Sequence, residues 1–225
     1  MKDSFYTNLY NDLYDNHNYI AGTKFKAPLY SLSKVLPLFP PKWTFLDLGC
    51  SRGMFLKSVK ELYTSNCILH GIDISQKAIL DANKIPGISC LQGNITNTPY
   101  DDEFFDVVHT SNVLEHLIPD DRHIGVREAY RILKPNGIFF GDTSTTYESS
   151  TGTWGGILKE KYNIEDLHMD PITAEEWLEI FEASGFIVLW HDIYTRQDCR
   201  CESRGFTTGI GQCHVKFTCK KKTNT

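Results

Sequence analysis

The chain has 225 residues, with 23 basic against 28 acidic side chains, a formal net charge of -5, 41% hydrophobic and 23% charged residues. These values are ordinary for a globular protein and exclude a collagen, a coiled coil or a disordered tail; the length allows one large domain or two small ones and needs no disulfide or metal to fold. The acidic balance disfavours a dedicated nucleic-acid binder, and no stretch approaches the roughly 20 apolar residues of a membrane helix.

The first 18 residues are rich in Asn, Asp and Tyr. They lack a basic n-region and an apolar h-region, so no secretory signal is read. Tyr6, Tyr10 and Tyr14 stand at helical spacing and predict a stripe packed on the rest of the protein. Trp43–Leu48 follows Pro40-Pro41 and reads as a buried strand. Residues 53–63 place Met54, Phe55, Val59 and Leu62 near helical spacing. Residues 67–72 are the second strand. Residues 75–84 open on a Ser N-cap and read as a helix closed before Pro86. Residues 88–91 and 104–109 are further strands. Residues 122–133 are helical and stop before Pro135, and residues 137–141 form a fifth strand.

Strands alternating with helices imply right-handed crossovers and a largely parallel sheet. The last third changes character. Residues 142–170 lack periodicity and hold several Gly, Ser and Thr. Thr173 and Glu176 make a capping box for a helix that ends at Gly185. Residues 186–194 and 212–220 are extended, and their linker is too short for a helical crossover, so an antiparallel hairpin is expected. Seven cysteines without a dense framework fit a reduced, cytoplasmic protein. The late set, Cys199, Cys201, Cys213 and Cys219 beside His214, does not repeat the two-to-four-residue knuckles of structural zinc sites, so no metal is expected.

The sharpest motif is Phe45-Leu46-Asp47-Leu48-Gly49-Cys50-Ser51-Arg52-Gly53, between the first strand and the first helix of the alternating core. Glycine there permits a tight turn and a close ligand, and open α/β sheets bind ligands at that end of their strands. Asp73 closes the second strand about 20 residues later, where a carboxylate can accept from both hydroxyls of a ribose. The pair points to a ligand carrying an adenosine. Ser51 stands where the dinucleotide fingerprint needs its second glycine, and no Gly-Lys-Ser/Thr phosphate loop is present. Asp47 would repel a pyrophosphate, yet suits an ammonium and a sulfonium.

The ordered set Leu-Asp-Leu-Gly-Cys-Ser-x-Gly, Gly-Ile-Asp-Ile-Ser, Gly-Asn-Ile, Phe-Asp-Val-Val-x-x-Ser-Asn-Val-Leu-Glu-His-Leu and Leu-Lys-Pro-Asn-Gly resembles the class I S-adenosylmethionine-dependent methyltransferases. The resemblance runs over roughly residues 43–186. It implies an α/β fold: a Rossmann-like seven-stranded, mostly parallel sheet with helices on both faces and a C-terminal antiparallel hairpin. One domain is expected over residues 1–225. Residues 1–42 would be a helical cap, 43–141 the cofactor-binding core, 142–172 a lid or acceptor-binding insertion, and 173–225 the last helix and hairpin.

The implied roles follow residue by residue. Asp47, Gly49, Cys50 and Gly53 would hold the methionine moiety of S-adenosylmethionine. Asp73 would bind the ribose and Ile74 would pack on adenine, with Asn94 and Ile95 beside it. Asn94 stands where the family more often has Asp, and its amide oxygen accepts equally well. Ser111 and Asn112 would line the cofactor and open toward the acceptor. His116 and His168 are candidates for a general base, and Glu115 for orienting a histidine or binding an acceptor ammonium. The other reading of His116 is a structural hydrogen bond to the neighbouring loop, and that of Glu115 is solvent exposure. Tyr14, Tyr19 and Trp154 are candidates for the acceptor wall. Asn-Pro-Pro-Tyr and the Pro-Cys pair of base-modifying relatives are missing. A small-molecule acceptor is therefore expected, methylated on O or N, with protein or RNA, or an inactive binding module, as alternatives. A monomer or homodimer is expected, with no membrane and no nucleic-acid partner.

Overall fold

The computed structural model describes residues 2–16, 32–33, 36, 42–63, 67–145, 160–162, 170–194 and 214–223. In chain order these form α1 (Lys2–Asn16), β1 (Trp43–Leu48), α2 (Met54–Leu62), β2 (Cys67–Asp73), α3 (Gln76–Ala82), β3 (Ile88–Gln92), β4 (Phe105–Ser111), α4 (Pro119–Ile132), β5 (Leu133–Ser144), α5 (Ala174–Ala183), β6 (Phe186–Tyr194) and β7 (His214–Lys221). A single 3₁₀ turn, Leu114–His116, lies between β4 and α4. Among the described residues no helix is long and apolar enough to cross a membrane.

The seven strands make one sheet in the order β3-β2-β1-β4-β5-β7-β6. β1, β2, β3, β4 and β5 pair in parallel. β7 pairs antiparallel with both β5 and β6, which is the expected C-terminal hairpin. Central parallel strands bury both faces, so they read as near-continuous apolar runs. β1 illustrates this. Leu46 and Leu48 join the cluster under α4 and α5, with Val126, Ile132, Trp177 and Phe181. Phe45 joins the cluster under α2 and α3, with Phe55, Val59, Ile79 and Ala82. At about 25 cal/mol per Å² of apolar area, each such buried leucine or phenylalanine contributes roughly 1.5–3 kcal/mol.

Local chemistry sets the helix starts. Ser75 Oγ accepts from Ala78 N at 3.2 Å and begins α3. Thr173 and Glu176 form the reciprocal capping box of α5, at 3.2 and 2.7 Å. α4 starts at Pro119, earlier than the periodicity suggests, because proline suits the first helical turn. β5 is longer than expected and begins at Leu133. Lys134-Pro135-Asn136 is an excursion inside the strand. Asn136 takes φ +66° there, and the pairing with β4 jumps from Phe105–Leu133 to Val107–Ile138. At its other end β5 carries on through Asp142, Thr143 and Ser144, which the sequence places in an aperiodic segment.

Candidate functional site

A cleft of about 760 Å³, counting its open mouth, lies at the carboxyl ends of β1, β2 and β4. The turn after β1 forms its floor. Gly49 N and Cys50 N both donate to Ile72 O, at 2.8 and 3.0 Å, which ties the turn to β2. Gly49 has φ +76°, and a Cβ there would lie 2.2 Å from Val113 Cγ2. Only glycine fits both the conformation and the contact. Ser51 is also left-handed, at φ +50°. That conformation explains why glycine would be at ease in its place.

Asp73 lines the cleft and is itself buried. Its two oxygens accept from Ser75 N at 2.9 Å and Ser51 N at 2.8 Å. Burial pushes its carboxyl up to about 6; the Ser75 and Ser51 amides pull the other way, and the nearby Asp47 charge adds to the rise. Each carboxylate oxygen has a second lone pair, so Asp73 keeps acceptor capacity for a ligand.

Gly49, Asp73 and Ile74 therefore meet Asn94, Ile95, Ser111 and Asn112 around one cleft, together with His116. Asn94 Oδ1 also accepts from Thr96 N at 3.0 Å, which fixes the turn that carries it. Ser111 Oγ donates to the buried Asp142 at 2.6 Å and accepts from Asn112 Nδ2 at 3.0 Å. Asn112 takes φ +52°, and its N–H donates to Asp142 O at 3.1 Å. Tyr10 faces His116 edge-on, with ring centres 6.2 Å apart.

Several expected residues do not line the cleft. Asp47 is buried behind the turn and pairs with His109 Nδ1 at 2.7 Å. The Cys50 thiol points away, toward Cys90 across Gly71, and contact with Cys90 and burial raise its pKa well above an ordinary thiol's. Gly53, at φ +73°, caps α2 and packs against Ile88 and Ala82. Glu115 is not exposed. It is buried and accepts from Thr143 Oγ1 at 2.9 Å. His168, Tyr19 and Trp154 lie outside the described residues, as do Cys199, Cys201 and Cys213. Among the described residues no group of three His, Cys, Asp or Glu side chains is placed to hold a metal.

α1 covers one side of the cleft. Tyr10 and Tyr14 both line it, rather than only packing on the sheet. Tyr14 Oη donates to Ser51 Oγ at 2.6 Å, and the Arg52 guanidinium lies 5.4 Å above the Tyr14 ring. Ser75 Oγ donates to Asn11 Oδ1 at 2.9 Å. Gly93, Leu117 and Asp121 also line the cleft without having been given a role in the sequence, and Tyr10 lines it although its spacing predicts only packing. Their signal is position alone, beside motifs that the sequence does mark.

The donor set fits S-adenosylmethionine. A glycine turn without room for a Cβ, a buried carboxylate with free lone pairs and the apolar Ile74 beside it suit an adenosine carrying a cationic tail. Residues 46–141 match the family described as a methyltransferase domain. An uncharacterized methyltransferase of Synechocystis is 33% identical over 100 residues, 44% of this chain and 46% of that protein. The chain spans about half the length of the first curated relatives it matches, at 57%, 46% and 51%. Two solved structures share the fold. A Methanosarcina mazei S-adenosylmethionine-dependent methyltransferase superposes with a TM-score of 0.60 at 17% identity, covering 84% of this chain and 97% of that one. Haemonchus contortus phosphoethanolamine N-methyltransferase 2, in complex with S-adenosyl-L-methionine, gives 0.66 at 15% identity, covering 98% and 57%. Motif order, sheet order, cleft and family match agree over the alternating core: residues 46–141 match a methyltransferase domain and carry the fold of S-adenosylmethionine-dependent methyltransferases.

Proposed function

We propose that the protein transfers a methyl group from S-adenosylmethionine to an oxygen or nitrogen of a small-molecule acceptor. The observation that carries this reading is the roof. α1 is tied down beside the cleft through Tyr14–Ser51 and Asn11–Ser75. A roofed cleft suits a compact acceptor better than a nucleic-acid duplex or a folded protein surface. No lysine or arginine is among the described residues that line it, as phosphate-backbone recognition would require.

The cofactor supplies an electrophilic methyl on a sulfonium. Asp73 would accept from the ribose hydroxyls, with Ile74, Asn94 and Ile95 around the adenine. Gly49, Ser111 and Asn112 would face the methionine end. The protein's contribution is chiefly alignment of acceptor and methyl for in-line displacement, with water held out by the tyrosines of α1. His116 is the described side chain best placed to take the acceptor's proton, since it lines the cleft against Tyr10. The buried Glu115 accepts from Thr143 of β5 and would tie the 3₁₀ turn to that strand rather than touch the acceptor.

The test is incubation with methyl-labelled S-adenosylmethionine and separated low-mass, RNA and protein fractions of a cell extract. Label entering the low-mass fraction supports the reading. Label confined to RNA or protein overturns it. A more distant relative, 29% identical over 120 residues, is a tRNA (carboxymethyluridine(34)-5-O)-methyltransferase of Arabidopsis thaliana, so the RNA arm is a real competitor.

A further inference from the structure

Gly71 sits inside β2, where a glycine weakens the strand and marks a close approach. What approaches is a pair of thiols. A Cβ on Gly71 would lie 2.6 Å from Cys50 Sγ and 2.7 Å from Cys90 Sγ, so the two sulfurs fill the space of the missing side chain. Cys90 of β3 stands beside Gly71 in register. Cys50 reaches over from the turn after β1, its N–H held by Ile72 O at 3.0 Å. Both thiols are free and buried, at 4% and 3% exposure. The two sides of the pair differ in stiffness. Cys90 N donates to Asn83 Oδ1 and Asn83 Nδ2 donates to Cys90 O, each at 2.9 Å. Cys50 lies between Gly49 and Ser51, which both line the cleft.

We propose that Cys50 and Cys90 are a redox modification site: a peroxide joins them in a disulfide, and the bridge pulls the Gly49–Ser51 turn toward β3 and weakens cofactor binding. The oxidation balances. One thiol attacks the peroxide, which takes two electrons and breaks its O–O bond, leaving a sulfenic acid and one water. The second thiol displaces the sulfenic hydroxyl, which leaves with the thiol's proton as a second water, and the S–S bond forms. A covalent bridge is shorter than the contact of two free thiols, so one partner must move. β3 is held by Asn83 and by its pairing with β2, so the turn gives way. Ser51 N then leaves Asp73 Oδ2 and Ser51 Oγ leaves Tyr14, bonds of 2.8 and 2.6 Å. The buried carboxylate and the α1 roof thereby lose a common anchor. The cleft is the path for a small oxidant. Contact with Cys90 and burial keep the Cys50 thiol protonated, so the pair reacts slowly.

The experiment exposes the full chain to hydrogen peroxide over hours, blocks the remaining thiols in denaturant and maps disulfides by peptide mass spectrometry. Calorimetry with S-adenosylhomocysteine is run before oxidation, after it and after dithiothreitol. A Cys50–Cys90 disulfide is expected. Affinity should fall roughly tenfold or more, in line with two lost hydrogen bonds, and dithiothreitol should restore it. Cys90→Ala should bind S-adenosylhomocysteine like the reduced parent and lose less than about twofold under the same treatment. Cys90→Ser repeats the test with a side chain of the same shape. Cys67→Ala, a control for oxidation elsewhere, should lose affinity as the parent does. No Cys50–Cys90 bridge, a bridge with unchanged affinity, a loss that dithiothreitol does not reverse, or parent-like loss in Cys90→Ala and Cys90→Ser would each overturn the proposal.

Discussion

Asp73 is a buried carboxylate in the wall of the cleft. Folding raises its carboxyl from 3.8 to about 6, so the folded chain keeps the proton after the unfolded chain has lost it. Ionising Asp73 therefore costs folding free energy progressively between about pH 4 and pH 6, on the order of 3 kcal/mol when complete. A ligand that donates hydroxyls to the ionised form offsets that cost. Cofactor affinity should be full above about pH 7 and fall up to tenfold per unit below about pH 6. Titration with S-adenosylhomocysteine from pH 5 to pH 8 checks this, and a flat profile would contradict it. Gly49 is the steric counterpart. Gly49→Ala meets Val113 and takes a left-handed residue with a Cβ, which should cost about 1–3 kcal/mol of stability. Thermal melting should show Val113→Ala restoring part of that loss, because the clash goes but the φ angle stays.

The elements around these residues explain a feature that motif comparison leaves odd. Ser51 occupies a left-handed position that glycine would fill at lower cost, yet its hydroxyl receives the Tyr14 hydroxyl of α1. Backbone strain is retained there in exchange for a latch on the roof. Tyr14→Phe removes the latch and should weaken S-adenosylhomocysteine about 2- to 10-fold, in line with one hydrogen bond. Hydrogen exchange in α1 should slow on ligand binding in the parent and slow less in the variant. His116 belongs to the neighbouring 3₁₀ turn. His116→Ala should lower kcat about 10²- to 10³-fold with cofactor affinity unchanged; full turnover in that variant would remove His116 from the chemistry. Elsewhere Thr173→Ala deletes a capping box remote from the cleft and should cost about 1 kcal/mol without touching binding.

At the scale of the molecule, the apolar runs of β1, β2 and β4 made the sheet legible, because buried parallel strands carry their signal in composition. β5 was legible only in its middle. Pro135-Asn136-Gly137 has the chemistry of a turn, and here a positive φ at Asn136 inserts that chemistry into a strand without ending it. Asp73 could be found from its place at a strand end, and Asn94, Ser111 and Asn112 from the motifs that carry the family resemblance; all four line the cleft. Their neighbours could not. His109 reads as one more residue of an apolar run, and its contact with Asp47 appears only when β1 and β4 are paired in register. Tyr10 and Tyr14 carry a helical spacing that fits packing as well as a roof, and contact with Ser51 and His116 decides between them. The same architecture puts one claim above the others, that an adenosine cofactor lies across β1, β2 and β4 with its ribose on Asp73. Calorimetry with S-adenosylhomocysteine on the parent chain and on Asp73→Ala tests it most directly. The expected result is one-to-one binding by the parent, weakened at least tenfold in the variant. No binding by the parent, or equal binding by both, would contradict it.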